Sequence, residues 1–311
     1  MVAPDASATV ILDGGLATEL EARGHDLSDR LWSARLLLDD PSAIEDVHLD
    51  YFRAGARVAT TASYQATVPG FAAAGLDRAA ALDAIRRSVE LAQRARDRYA
   101  AEAVVDAGGL LVVGSVGPYG AMLADGSEYR GDYDPGPVIL RDVHAPRIEA
   151  LLEAGVDIVA LETIPTTREA EVLVRIVDDM GARAWLSFQC RDEAATAAGE
   201  PIEVAVALAN DVDEIVAVGV NCTAPHLVPS LLAAAASATN RPLIAYPNRG
   251  DRWDPSSRRW VPTAPDRAFD AAIVASWTGL GAMWLGGCCG TSPADIAALA
   301  SVLTTAASRS A

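Results

Sequence analysis

Short runs of β-branched and other apolar residues alternate along the chain with longer stretches whose apolar residues recur every three or four positions, and the alternation repeats eight times. The short runs are Thr9–Gly15, Arg57–Tyr64, Leu110–Pro118, Asp157–Ile164, Arg183–Cys190, Glu214–Cys222, Pro242–Asn248 and Ala282–Cys289. They predict strands. Between them, helical spacing predicts helices over Ala79–Ala100, Arg168–Met180 and Ala268–Leu280, among others. Gly55 and Gly155 stand two residues before a predicted strand, where the C-cap of the preceding helix is expected.

Eight βα units with near-continuous apolar strands read as an α/β fold, a (β/α)8 TIM barrel. A doubly wound open sheet is the runner-up, but it does not require eight evenly spaced units. No shift of composition marks a boundary, so residues 1–311 are expected to form a single domain. The stretch Gly120–Gly136 is polar, aromatic and too long for a simple βα turn, and is expected to be a lid or a wall of the site.

Active sites of such barrels lie at the C-terminal ends of the strands. Those ends carry Asp13, Tyr64, Gly117, Glu162, Gln189, Cys222, Asn248, Cys288 and Cys289. Stability alone would not select that set.

Composition then removes several chemistries. All 25 basic residues are arginines, so Schiff-base, pyridoxal phosphate and P-loop mechanisms lack the lysine they need. A formal charge of −17 disfavours nucleic acid and anionic membrane as partners. No apolar run approaches the roughly 20 residues of a membrane span, and "MVAPDASATV" has no basic and apolar leader pattern. Four cysteines without a disulfide pattern point to a reducing, cytoplasmic setting.

Three of those cysteines carry the most specific signal. Cys222 ends the sixth predicted strand and Cys288–Cys289 end the eighth, which are near neighbours across a barrel mouth. Three converging thiolates suit a Zn2+ ion and leave a fourth position open. Glycines on both sides of Cys288–Cys289 are expected to let the backbone bend so that adjacent side chains reach one ion. Cys190 is assigned to packing, and His226 to the first turn of the next helix.

The stretches "ILDGGLATELEARG" (Ile11–Gly24), "GSVGPYGAMLADGSEYRGDY" (Gly114–Tyr133), "LETIPTTREA" (Leu161–Ala170), "GVNCTAP" (Gly219–Pro225) and "GGCCGT" (Gly286–Thr291) resemble the homocysteine S-methyltransferase family nearly end to end. The post-strand-3 segment most resembles the short, stand-alone, S-methylmethionine-type members. One departure is visible: Arg249 and Asp251 stand where the family usually has a serine before the glycine and a glutamate after it, while Asn248 matches.

The resemblance implies methyl transfer from a sulfonium donor, S-methylmethionine or S-adenosylmethionine, to the thiol of homocysteine, giving methionine. It implies zinc on Cys222, Cys288 and Cys289, and it puts Asp13 and Glu162 in the substrate pocket, with Glu162 on the homocysteine ammonium. Asp13 reads equally as a turn residue, and Glu162 has an ion-pair reading that its buried strand end disfavours. The rings of Trp32 and Tyr64 are candidates to face the donor cation, with packing the competing role for Trp32. Backbone N–H groups near Gly14 and Gly15 are candidates for the amino-acid carboxylate.

Three other readings compete. A zinc-dependent barrel hydrolase would use His and carboxylate ligands, yet His25, His48, His144 and His226 lie away from the predicted strand ends. A closed structural zinc site expects four ligands, and three are found. A thiol methyltransferase using another onium donor such as betaine keeps the same pocket. In each case the partners are small molecules, and the chain is expected to act as a monomer or small homo-oligomer.

Overall fold

The computed structural model describes residues 9–27, 31–250, 252–254, 259–261 and 269–310. Each of the eight apolar runs contains one strand of a single parallel sheet: β1 (Val10–Ile11), β2 (Val58–Thr60), β3 (Leu111–Val116), β4 (Ile158–Ile164), β5 (Ala184–Phe188), β6 (Ile215–Asn221), β7 (Leu243–Tyr246) and β10 (Ala282–Leu285). Between β7 and β10 lies an antiparallel pair, β8 (Arg252–Asp254) and β9 (Arg259–Val261). The order in the large sheet is β1-β10-β7-β6-β5-β4-β3-β2, with helices following the strands. This is a (β/α)8 barrel.

The strands are shorter than the apolar runs because the last residues of each run leave the ladder to build the mouth. The extreme case is β1, whose registered pairing with β10 ends at Ile11; the Leu12 N–H and the Asp13 carbonyl still bond to Leu285 and Gly287, while the Asp13 side chain turns to another task. Strands β1 and β2 stand at the two ends of the sheet order. The Arg57 N–H donates to the Ile11 carbonyl at 2.7 Å. Beyond it the Asp13 carboxylate takes the place of a strand, accepting the Thr60 N–H at 2.6 Å and the Thr60 hydroxyl at 2.8 Å. A side chain thus closes the seam of the barrel at its mouth.

Two apolar layers hold the fold. Inside the sheet, Leu12, Val58, Val113, Ala160, Trp185, Ile244 and Trp284 form one buried cluster. Trp185 is its centre, with its ring 5.9 Å from Tyr246 and 6.0 Å from Trp284. Its indole N–H donates to the Tyr246 hydroxyl at 2.9 Å, so its own polar edge is satisfied. The larger cluster lies between strands and helices, where both faces of the parallel sheet are covered.

The predicted helices are found as Arg78–Ala103, Thr167–Met180 and Ala271–Gly279; residue 268, where the third was expected to begin, is outside the described residues. Gly55 and Gly155 have φ of 106° and 86°, as helix-terminating glycines should. Helix starts are capped by Thr67, Asp77, Thr166 and Asp270, each accepting a backbone N–H three residues on. His226 precedes its helix, Val228–Ala238, by two residues instead of standing in the first turn. Among the described residues no helix is long and apolar enough to cross a membrane.

Candidate active site

The mouth of the barrel encloses a cavity of about 90 Å3. Its wall gathers residues from the ends of strands far apart in sequence: Asp13, Gly14 and Gly15 after β1, Tyr64 after β2, Ser115 on β3, Glu162 on β4, Cys222 after β6, Tyr246 on β7, and Cys288–Cys289 after β10.

Local backbone explains how the chemistry-bearing side chains face inward. The register of β4 against β5 breaks between Leu161 and Ile164, and Thr163 has a φ of 60°. Such an irregularity re-aims the neighbouring side chain, here Glu162. Asn221, at the end of β6, holds this bend: its Oδ1 accepts the Thr163 N–H at 2.7 Å and its amide donates to the Thr163 hydroxyl at 2.8 Å. The next residue, Cys222, also has a positive φ, 47°. A non-glycine in that region costs roughly 1–2 kcal/mol, and such strain clusters at functional sites.

Beyond β10 the chain leaves the sheet before the cysteine pair, so the pair belongs to a loop. The flanking glycines act differently from the expectation of simple bending. A Cβ at Gly286 would lie 2.5 Å from the Leu12 Cβ, and one at Gly287 would lie 2.2 Å from the Thr291 hydroxyl. Close approach to β1 and to Thr291 therefore demands glycine before the pair; only Gly290, after it, adopts a left-handed φ, 83°. Thr291 secures the turn, donating its N–H and its hydroxyl to the Cys288 carbonyl at 3.1 and 2.6 Å.

The three sulfurs of Cys222, Cys288 and Cys289 all lie within 4.8 Å of one another. Cys222 and Cys289 are 3.6 Å apart. Two thiolates on one tetrahedral zinc, with Zn–S near 2.3 Å, would stand about 3.8 Å apart, so the donor set fits that ion in type and spacing. Cys289 is held well below the ordinary thiol value because Cys222, and then Cys288, donate hydrogen bonds to its sulfur. Cys222 is correspondingly held well above it, through its hydrogen bonds to Cys288 and Cys289 and its burial. Cys190 lies apart from the cluster, buried in the outer core.

Glu162 is 7% exposed, and burial followed by the charge of Cys288 pushes it up to about 7. Ser115 and Tyr246 donate hydrogen bonds to it. Burial likewise pushes Asp13 up to about 8, against its two bonds from Thr60. Both carboxylates gain from a cation placed beside them.

Of the residues expected at the site, Asp13, Gly14, Gly15, Tyr64, Glu162, Cys222, Cys288 and Cys289 line the cavity. The Gly15 N–H already donates to the carbonyl and hydroxyl of Thr291, both at 3.1 Å, so that donor is engaged within the protein. Asn248 is a supporting residue behind the wall: its amide donates to the Cys222 carbonyl at 3.1 Å and its Oδ1 accepts the Gly250 N–H. Gln189 also stands outside the lining. The Trp32 side chain and Asp251 lie outside the described residues. Arg249 donates its backbone N–H to the Cys289 carbonyl at 2.9 Å, so the departing "YPNRGD" loop touches the cysteine pair through its main chain.

A family model described as homocysteine S-methyltransferase matches residues 10–303. The chain belongs to the homocysteine S-methyltransferase family. It is 50% identical over 291 residues to the homocysteine S-methyltransferase of Escherichia coli, covering 93% of this chain and 94% of that one. It is 42% identical to the selenocysteine Se-methyltransferase of Brassica oleracea, covering 93% and 87% of the two chains. Among solved structures, the metallated form of the Escherichia coli homocysteine methyltransferase MmuM superposes with a TM-score of 0.85 at 47% identity, over 95% of this chain and 96% of that one.

Within this family's mouth, sequence reasoning missed Ser115, Tyr129, Thr163 and Tyr246 as lining residues. Tyr129 had a signal, since the long segment after β3 was expected to form a wall, and it does. Tyr246 had one too, as the single polar side chain of β7, at its C-terminal end. Ser115 had none: a single hydroxyl inside an apolar strand reads as packing.

Proposed function

We propose that this pocket methylates the thiol of homocysteine with a sulfonium donor, forming methionine. The observation that carries the reading is the convergence of three cysteine sulfurs, within 4.8 Å of one another, on the wall of the cavity at the mouth. Cys222, Cys288 and Cys289 would hold a zinc ion. Bound there, zinc would keep an alkyl thiol ionised at neutral pH, where a free one is only a few per cent thiolate.

The chain's own residues do the rest. Glu162 receives the homocysteine ammonium: its buried carboxylate has spare acceptor capacity beyond Ser115 and Tyr246 and is destabilised until a cation arrives. That contact fixes the amino-acid end and aims the sulfur toward the cysteines. The donor lies on the opposite wall near Tyr64, whose ring can face a cation. The homocysteine sulfur then attacks the methyl carbon, a new C–S bond forms, and the donor's C–S bond breaks with its electron pair leaving on a neutral thioether. Opposite charges cancel in that step, so the dry wall around Glu162 and Tyr246 accelerates it relative to water. The whole chain is taken to act as one domain on these small molecules, in the cytoplasm.

The test is a donor panel with zinc-loaded protein and homocysteine: S-methylmethionine, S-adenosylmethionine and betaine, beside ester and amide substrates. Methionine formed from a sulfonium is the expected product. Hydrolysis without methyl transfer would replace this reading with the hydrolase one. In the same assay Glu162→Gln should raise the KM for homocysteine far more than the KM for the donor.

A further inference from the structure

The segment after β3 is fastened at two points to one buried carboxylate. Glu169, 1% exposed in the helix Thr167–Met180, accepts the Tyr119 N–H on Oε1 at 2.6 Å and the Tyr133 hydroxyl on Oε2 at 2.5 Å. His144 Nε2 reaches the same Oε1 at 2.7 Å, and its Nδ1 meets the Arg147 guanidinium, also at 2.7 Å. A guanidinium only donates, so Nδ1 is the acceptor and the imidazole proton sits on Nε2, pointing at Glu169. Burial holds His144 below its ordinary value, which keeps the ring neutral. Arg147 goes on to donate to the carbonyls of Tyr64 and Gly117. One continuous chain of hydrogen bonds thus runs from Tyr133 to the backbone of a residue in the cavity wall.

Between the two anchors the segment doubles back on itself. A Cβ at Gly120 would stand 2.5 Å from the Tyr133 ring and 2.6 Å from the Glu128 nitrogen, so the two arms touch with no space for a side chain. Tyr129 sits inside this loop and lines the same cavity as Cys222, Cys288 and Cys289, where its side chain helps to hold the Cys289 thiol low.

We propose that Glu169 is a positioning residue for the thiolate centre: by clamping Tyr119 and Tyr133 it holds Tyr129 against Cys289. The inference rests on the metal-binding reading of the same three cysteines. A hydrogen bond to a ligand sulfur withdraws electron density from it and fixes its orientation, which is how partners outside the ligand set tune a metal site. A buried carboxylate with three donors specifies one arrangement of the segment, which apolar packing alone would leave free to slide.

The experiment uses the full chain loaded with cobalt(II), whose thiolate-to-metal charge-transfer absorption reports the sulfur donors directly. Tyr129→Phe should move that band to longer wavelength, because an unbonded thiolate gives up an electron more readily. Tyr133→Phe and Glu169→Gln should move it in the same direction, and Tyr133→Phe should add nothing in a Tyr129→Phe background. Tyr133→Phe removes one oxygen from a half-buried ring, so it serves where Glu169→Gln fails to fold. Cobalt bound with a wild-type band in Tyr133→Phe, or band shifts that simply add, would overturn the role of Glu169 alone. No cobalt taken up by the wild-type chain would overturn the metal reading and this inference with it.

Discussion

The sulfurs of Cys222 and Cys289, 67 positions apart in the chain, stand 3.6 Å from each other. Neither reaches that place by strand geometry: Cys222 sits at a left-handed φ just past β6, and Cys289 lies in the loop beyond β10. Two separate loops are shaped so that their cysteines meet.

Replacing any one of Cys222, Cys288 or Cys289 with alanine is therefore expected to abolish turnover and to strip the metal. Each change would remove one of the three ligands proposed for the metal. Elemental analysis of the purified variants checks this against one zinc per wild-type chain. A variant that kept full zinc and full rate would take its cysteine out of the set. Because the ligands bind as thiolates, metal retention should also weaken as pH falls.

Removal of the metal should expose the same geometry to oxidation. In air the metal-free protein is expected to form a disulfide that includes Cys222, since adjacent cysteines pair poorly for geometric reasons. Peptide mapping that recovered only free thiols would count against the convergence.

Glu128, next to Tyr129 in the segment after β3, supplies a pH-dependent stability test. It is 6% exposed, its Oε2 has no hydrogen-bond partner among the described residues, and burial pushes it from 4.5 up to about 7. The folded protein keeps this proton over a range where the unfolded chain has lost it. Its stabilising effect is thus complete below pH 4.5 and disappears as pH rises through 7, a swing of up to ~3 kcal/mol. Glu128→Gln stays neutral throughout, so its stability should match the wild type near pH 4 and exceed it near pH 8 in urea unfolding.

His48 should show the opposite sign. It is fully buried, both ring nitrogens lack partners among the described residues, and burial lowers it from 6.5 to about 4. The unfolded chain takes up a proton that the folded one refuses, so stability is full above pH 6.5 and falls as pH drops toward 4, by up to ~3 kcal/mol. His48→Leu should flatten that slope between pH 6.5 and 4.5. Equal slopes in variant and wild type would mean the ring is protonated in the folded state.

The barrel was legible in the sequence because strands covered on both faces read as unbroken apolar runs, and eight of them cannot be mistaken for a smaller sheet. The run Asp157–Ile164 even holds Glu162 at its polar end, where the structure bends the strand to present it. What stayed hidden depends on path and direction. Asn248 has the right type and place, yet its amide turns to the Cys222 carbonyl. The inward turn of Tyr129 follows from clamps at Tyr119 and Tyr133 that meet on a glutamate 50 and 36 residues further along, a coincidence in space that no local pattern announces. The glycines around Cys288–Cys289 were visible, but their reason, contact with Leu12 and Thr291 from the opposite ends of the chain, was not.

The seam between β1 and β2 gives Asp13 two masters. Its carboxylate is a structural rung through Thr60 and also a wall of the cavity, so folding and ligand occupancy act on the same atoms. A molecule filling the mouth braces the place where the sheet is joined by a side chain instead of a full ladder, and linkage then turns its affinity into resistance to unfolding. The barrel is in this sense a reporter of its own occupancy: the rise in melting temperature that a ligand gives at a fixed concentration should track its affinity for the mouth.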